Sequence, residues 1–264
     1  MAAIRQTTSR AAPLERILTR ERVIVLGALM AVTALAWVYL IDMADMDDVS
    51  EVMAAAMRMA PWDATGFALM FLMWVVMMVG MMLPGAAPMI LLYATINRRK
   101  RAAGSPYAPT AVFALGYVAV WTAFSLLATL MQGVLQHLTW LSPMLVSTSH
   151  LLGGALLIGA GLYQWTPLKR ACLDTCRSPL SFILMHWRSG VSGALYMGMV
   201  HGVYCLGCCG LLMGLLFVGG VMNLLWVAAI TLLVLGEKLV PGGGWFARIS
   251  GAAMIAAGIW FLSA

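Results

Sequence analysis

Charged side chains are scarce in this sequence. Aspartate, glutamate, lysine and arginine make up 10% of the 264 residues, while 62% of the residues are hydrophobic. An ordinary soluble domain has about 25% charged and about 45–50% apolar residues. The composition therefore excludes a water-soluble enzyme domain, a disordered chain, a collagen-like repeat and a disulfide-rich secreted module. The remaining class is an all-α polytopic membrane protein, because the apolar runs are too long for the alternating strands of a membrane barrel.

Several motifs of soluble catalysis are also missing. The sequence has no P-loop, no dinucleotide-binding glycine signature and no HExxH motif, and its Ser, His and Asp residues form no nucleophilic arrangement. No Asp, Glu, Lys or Arg is evident inside an apolar run. Glu237 and Lys238 are expected at a membrane edge, where they can pair or snorkel. These absences argue against a proton relay or an ion pump that is built on buried carboxylates.

Seven apolar segments predict a transmembrane helical bundle of about seven spans. A helix needs about 20 residues, at ~1.5 Å per residue, to cross a ~30 Å hydrocarbon layer. Residues 1–21 are expected to form a cytoplasmic N-terminal tail, and residues 22–264 a single transmembrane domain. The expected spans are residues 22–41, 65–95, 109–131, 147–163, 191–218, 221–239 and 245–262.

Basic residues indicate how these spans are oriented. In a seven-span arrangement, every Lys and Arg except Arg58 lies on the same side of the membrane. The positive-inside rule then places the N-terminus in the cytoplasm and the C-terminus outside. Most of the acidic residues fall in the first outer loop. The net charge of +6 therefore reflects topology and contact with the anionic lipid of the bilayer, and it is not evidence for nucleic-acid binding.

The strongest chemical signal is a strip of sulfur and imidazole in the fifth segment, MGMVHGVYCLGCCGLLM, at residues 197–213. At about 100° per residue, His201, Cys205 and Cys208 fall within a ~60° arc of one helix face, and Cys209 lies at the edge of that arc. Thiolate ligands select Cu(I), Zn or iron–sulfur clusters, and imidazole suits Zn, Cu, Fe and Ni. The strip therefore predicts a metal site, with Cu(I) favoured and Zn or Fe as alternatives.

A second source of sulfur is the methionine-rich second segment, MFLMWVVMMVGMMLPGAAPM, at residues 70–89. Methionine commonly fills irregular gaps in a core, so packing alone would explain this stripe. If the segment faces the Cys/His strip, its thioethers become a Cu(I) relay or complete the site. Four methionines share one face within ~80°, namely Met70, Met73, Met77 and Met81, and two more lie beside it, Met78 and Met82. Of these, Met70, Met77 and Met81 are the candidate exchange ligands.

The first outer loop adds interleaved carboxylates and thioethers in DMADMDD, residues 42–48. Asp42, Met43, Asp45 and Met46 are candidate ligands for the capture of copper on the oxidising side. The alternative is an acidic, solvated connector with a methionine-rich face on the membrane.

Two further cysteines lie in KRACLDTC, on the predicted cytoplasmic side. Cys172 and Cys176 are four residues apart, so on a helix they can chelate a metal or simply remain reduced. Neighbouring Lys169, Arg170 and Arg177 are expected to favour their thiolates. The pair is a candidate cytoplasmic exchange site.

Several stretches carry a resemblance to a known family. They are MMLPGAAPM at 81–89, YQWTPLKRACLDTCRSPL at 163–180, GMVHGVYCLGCC at 198–209, FVGGVMNLLWVA at 217–228 and EKLVPGG at 237–243. Together they resemble the bacterial family of predicted metal-binding integral membrane proteins, domain of unknown function 2182, over roughly residues 65–262. The resemblance implies a multi-pass protein of the bacterial inner (plasma) membrane. It also implies metal binding, which fits Cys172, Cys176, His201, Cys205, Cys208 and Cys209.

Three functions agree with these features. The favoured one is binding of Cu(I) for copper handling or delivery in the cell envelope, with a copper-donor or copper-acceptor protein as partner and a homo-oligomer left open. The second is a copper-dependent membrane oxidoreductase or monooxygenase that acts on a small apolar substrate. The third is a thiol–disulfide oxidoreductase that exchanges electrons through Cys205, Cys208 and Cys209. The methionine excess has a role in the first function and none in the third.

Overall fold

The computed structural model describes residues 22–42, 64–102, 104, 106, 108–138, 140 and 149–263. Within these residues the chain is helical and contains no strand, which confirms the all-α prediction. The helices are α1 (Arg22–Asp42), α2 (Ala64–Ala102), α3 (Thr110–His137), α4 (His150–Tyr163), α5 (Pro167–Arg177), α6 (Pro179–His186), α7 (Gly190–Gly214), α8 (Leu216–Gly219), α9 (Leu224–Leu239) and α10 (Gly243–Ser263).

Five helical stretches are long and apolar enough to cross a membrane: Arg22–Asp42, Ala64–Ala102, Thr110–His137, Gly190–Gly219 and Gly243–Ser263. They coincide with the first, second, third, fifth and seventh expected spans. The fourth and sixth expected spans form α4 and α9, which have 14 and 16 residues. At ~1.5 Å per residue these helices are shorter than a ~30 Å hydrocarbon layer. The count of seven spans, their orientation and the single-domain boundary stay predictions.

The connection between α4 and α7, residues 164–189, folds into two short helices. Thr166 caps the start of α5 because its side chain accepts a hydrogen bond from the Lys169 amide, and Pro167 occupies the first turn, where its missing N–H costs nothing. The sequence predicts a short interfacial helix here. The structure packs α5 against α7 and buries Leu173 on it. This packing carries Cys172 and Cys176 toward the centre of the protein.

The core lies between α2, α3 and α7, and small residues let α3 and α7 approach closely. A Cβ on Gly198 would overlap the carbonyl oxygen of Phe113, and a Cβ on Gly202 would lie 2.9 Å from Val120 Cβ. The four-residue spacing of small residues in the sequence predicts helix contacts at Gly198 and Gly202 and at Gly210 and Gly214. The structure confirms the first pair. The prediction for the second pair is wrong, because among the described residues a Cβ on Gly210 would meet only Leu206 of the same helix, and a Cβ on Gly214 would have no neighbour within 4 Å. Close approach of α3 fixes which face of α7 is turned inward.

Gly198→Ala tests this contact. The added methyl group must push α3 away from α7, so we expect the free energy of unfolding to fall by about 1–3 kcal/mol. Gly214→Ala, on the same helix but in open space, is the matched control and should change it by no more than about 0.5 kcal/mol. Thermal unfolding of the detergent-purified variants measures both effects. Equal stability of the two variants would contradict the close packing of α3 and α7.

Candidate metal centre

Three cysteine thiols meet on the inward face of α7. The sulfurs of Cys205, Cys208 and Cys209 all lie within 4.8 Å of one another, and each residue is about 1% exposed. Spacings of three and four residues place them on adjacent turns of the same helix face. The Cys208 and Cys209 thiols donate to the carbonyl oxygen of Cys205, at 3.1 and 2.9 Å. Three buried sulfurs at this separation form a donor set for a soft metal ion.

The Cys205 sulfur has the most polar surroundings of the three. Lys238 Nζ donates to it at 2.9 Å, and Tyr117 Oη lies 3.0 Å from it. Tyr117 also donates to the carbonyl oxygen of Met82, at 3.0 Å, which fixes the phenol between α2 and α7. A Cβ at Gly85 would lie 3.2 Å from Lys238 Cδ, so the glycine leaves room for the lysine side chain beside α2.

The surroundings of Glu237 and Lys238 differ from the sequence prediction. The sequence places both at a membrane edge, but the structure buries them within the helix bundle, at 1% and 8% exposed. Glu237 accepts hydrogen bonds from Lys169 Nζ and Gln164 Nε2, both at 2.7 Å. Neither residue of the 237–238 pair therefore snorkels to water. Their partners are 33 to 73 residues away in sequence, which is why the local hydropathy pattern misses the pairing.

One methionine of the second segment contacts the cysteine cluster. Met82 Sδ lies 3.7 Å from Cys209 Sγ, so α2 and α7 meet at this level. Met77 and Met81, which the sequence analysis favours as exchange ligands, are buried in the core. Met70 lies farther along α2, where its sulfur accepts a hydrogen bond from Gln132 at 3.5 Å. The role of Met70, Met77 and Met81 as metal ligands stays a prediction. Met82 is a further candidate ligand because its sulfur contacts the cysteine cluster.

His201 is separated from the thiols by Tyr117, whose ring stacks on the imidazole and whose hydroxyl lies beside Cys205 Sγ. It is 2% exposed and stacks on Tyr117 and Phe113, with ring centroids 5.5 and 6.2 Å apart, while Phe182 meets it edge-on at 5.5 Å. It does not belong to the group whose ligand atoms lie within 4.8 Å of one another. Its Nδ1 is buried and has no hydrogen-bond partner within the described part of the chain. An orphaned buried nitrogen is uncommon, so His201 stays a predicted ligand.

Cys172 and Cys176 lie beside the cluster, and their role as an exchange site stays a prediction. Cys176 Sγ is 3.9 Å from Cys208 Sγ, and a Cβ on Gly207 would lie 2.7 Å from Cys172 Sγ. Both α5 cysteines are partly exposed, whereas the three on α7 are buried. The five sulfurs therefore extend from the core of the protein toward its surface.

The expectation that nearby cations favour thiolates at Cys172 and Cys176 is wrong. Burial raises the pKa of Cys172, and hydrogen bonds with Cys205 and Cys208 raise the pKa of Cys176 well above its ordinary value. The cations are engaged elsewhere: Lys169 pairs with Glu237, Arg170 donates to the Trp165 carbonyl oxygen, and Arg177 donates to the carbonyl oxygens of Glu237 and Val240. Both thiols on α5 are therefore protonated at neutral pH in the metal-free protein.

The predicted outer capture site falls largely outside the described residues. Asp42 is the last residue of α1 and is exposed. Met43, Asp45 and Met46 lie outside the residues that the structure describes.

The fold and the site together define a helical protein with membrane-spanning-length helices and a buried three-cysteine centre suited to a soft metal ion. A family model described as PpoB2, copper chaperone, matches residues 71–261. The chain belongs to this copper chaperone family. No curated protein and no solved structure matches the chain.

The family match confirms the copper-related part of the sequence prediction. Copper, metal binding and cysteine ligands agree with the matched description and with the cysteine cluster. The particular family name that the sequence motifs resemble stays a prediction.

Proposed function

We propose that this protein is an integral membrane copper chaperone that binds Cu(I) on the thiols of Cys205, Cys208 and Cys209. The buried three-sulfur cluster, in a chain of the copper chaperone family, is the observation that carries this proposal. Cu(I) is favoured over Zn because structural Zn sites are almost always four-coordinate, while soft thiolates alone suit Cu(I). In this proposal copper is the cargo of the protein, held until a partner removes it.

The arrangement of sulfurs supports a route through the protein. Met82 lies 3.7 Å from Cys209, Cys209 lies 3.9 Å from Cys205, and Cys208 lies 3.9 Å from Cys176. A Cu(I) ion can move along such a row by exchanging one sulfur ligand for the next. The core cysteines would then store the ion, and partly exposed Cys172 and Cys176 would pass it on.

The ends of this route fit a protein of the bacterial inner membrane. The long apolar helices are compatible with a bilayer. We propose that copper enters from the outer side, with Asp42, Met43, Asp45 and Met46 as capture ligands and the α2 methionines as weak exchange ligands. A copper-donor protein would supply the ion, and a copper-acceptor protein would receive it at α5.

The double variant Cys172→Ser/Cys176→Ser tests the exchange step. It leaves the α7 cysteines in place, so we expect Cu(I) to remain bound while its transfer to an added Cu(I) chelator slows about tenfold. Stopped-flow absorbance of the chelator complex, under anaerobic reducing conditions, measures the transfer rate. Thr175→Ser, at a partly exposed position on the same helix, is the matched control and should transfer copper at the wild-type rate. Equal rates in the double variant and the control would rule out α5 as the exchange site.

A further inference from the structure

We propose that Lys238 selects the charge of the bound ion, as the counter-cation of the thiolate site. This inference rests on the proposed function, because it concerns the same cysteine cluster. Lys238 is buried, and its ammonium group donates to Cys205 Sγ at 2.9 Å. The lysine reaches the site from α9, while all three thiols belong to α7.

The pairing of the other buried charges assigns this role to Lys238. Two buried lysines and one buried glutamate lie in this region, and Lys169 and Glu237 form their own ion pair at 2.7 Å. Gln164 occupies the remaining Glu237 oxygen. Among the described residues, no carboxylate lies within 4.0 Å of the Lys238 ammonium. A buried charge is retained only when it is paired, so the partner of Lys238 is the Cys205 sulfur.

Charge balance then distinguishes between metal ions. In the metal-free protein Cys208 and Cys209 donate as thiols, and Cys205 accepts from the ammonium group of Lys238. We assign to bound Cu(I) two thiolates, Cys205 and one cysteine that loses its proton on binding, with the third cysteine as a neutral thiol. This set has a net charge of −1, and the ammonium group of Lys238 brings the buried centre to zero. A divalent ion on the same two thiolates is already neutral, so Lys238 would leave an uncompensated positive charge in a low-dielectric interior. Lys238 therefore favours a monovalent ion over a divalent one. Tyr117, 3.0 Å from the same sulfur, adds a hydroxyl dipole to the site and no charge.

Lys238→Met tests this selectivity, with the affinities for Cu(I) and Zn(II) measured separately against chromophoric chelators. We expect the Cu(I) affinity to fall about tenfold and the Zn(II) affinity to rise several-fold. The proposal requires the Cu(I) and Zn(II) affinities to change in opposite directions. If Lys238 had only a structural role, its substitution would lower both affinities together. Lys238→Arg keeps the positive charge and should keep the wild-type preference. If Lys238→Met does not fold, Lys238→Gln carries the same expectation.

The matched control is Lys169→Met/Glu237→Met, which removes the neighbouring buried ion pair and leaves the Cys205 contact in place. It should preserve the ratio of the two affinities. Unchanged or parallel affinities in Lys238→Met would overturn the role of Lys238 while leaving Cu(I) binding intact. A wild-type protein that binds no Cu(I) would overturn the proposed function itself, so the two failures are distinguishable.

Discussion

Cys205→Ser/Cys208→Ser is expected to abolish Cu(I) binding, with an affinity at least about 100-fold below that of the wild type. Serine hydroxyls are hard oxygen donors, and a soft ion such as Cu(I) prefers thiolate sulfur. The substitution removes two of the three sulfurs that lie within 4.8 Å of one another. Competition with a Cu(I) chelator under reducing conditions measures the affinity.

Two histidine variants define the limits of this site. His137→Ala changes an exposed residue at the end of α3 and should bind as much copper as the wild type. His201→Ala should lower the amount of bound copper, since its buried Nδ1 has no hydrogen-bond partner among the residues that the structure describes. Equal copper in the double serine variant and in His137→Ala would disprove the assignment of the site to α7.

Cys205→Ala is expected to destabilise the metal-free protein because it leaves the Lys238 ammonium buried without its partner. Removal of one partner of a buried charged pair typically costs about 3–5 kcal/mol. We expect a loss of this size in the free energy of unfolding, measured in detergent without metal. Cys208→Ala should cost less, since the partners of the Cys208 thiol are the Cys205 carbonyl oxygen and the Cys176 sulfur, and neither of them is charged.

The second substitution Lys238→Met should recover most of that stability in the Cys205→Ala background. Removal of both partners leaves an apolar contact instead of an unpaired charge, and such replacements are often neutral. The double-mutant cycle therefore predicts strong coupling between positions 205 and 238. Additive losses of stability would mean that Lys238 does not depend on Cys205 for its partner.

The sequence predicts those parts of the site that depend on one helix alone. Cys205, Cys208 and Cys209 follow each other by three and one residues, so helical geometry is enough to place them together. The same argument finds the α3 contact of Gly198 and Gly202. Helical geometry is less informative about contacts between helices. The sequence favours Met81 as a ligand, whereas the methionine that contacts Cys209 is its neighbour Met82. A shift of one residue along a helix turns the side chain by about 100°, so the facing residue cannot be read from one helix alone.

The residues that surround Cys205 could not be found from local patterns. Tyr117 and Lys238 lie 88 and 33 residues from it in sequence, and each belongs to a different helix. Cys176 is brought to Cys208 by the packing of α5 on α7, which a hydropathy pattern does not describe. One sequence signal does exist, because Glu237 and Lys238 end an otherwise apolar helix. Charged residues in that position are costly in a bilayer unless they have partners, so they point to a site.

The most direct test of copper binding is the metal content of the detergent-purified wild-type protein, expressed with copper supplied, followed by X-ray absorption at the copper edge. Our account predicts near-stoichiometric Cu(I) with sulfur as its nearest neighbours, and the loss of that signal in Cys205→Ser/Cys208→Ser. A wild-type protein that carries no metal, or copper bound only by nitrogen and oxygen, would contradict it.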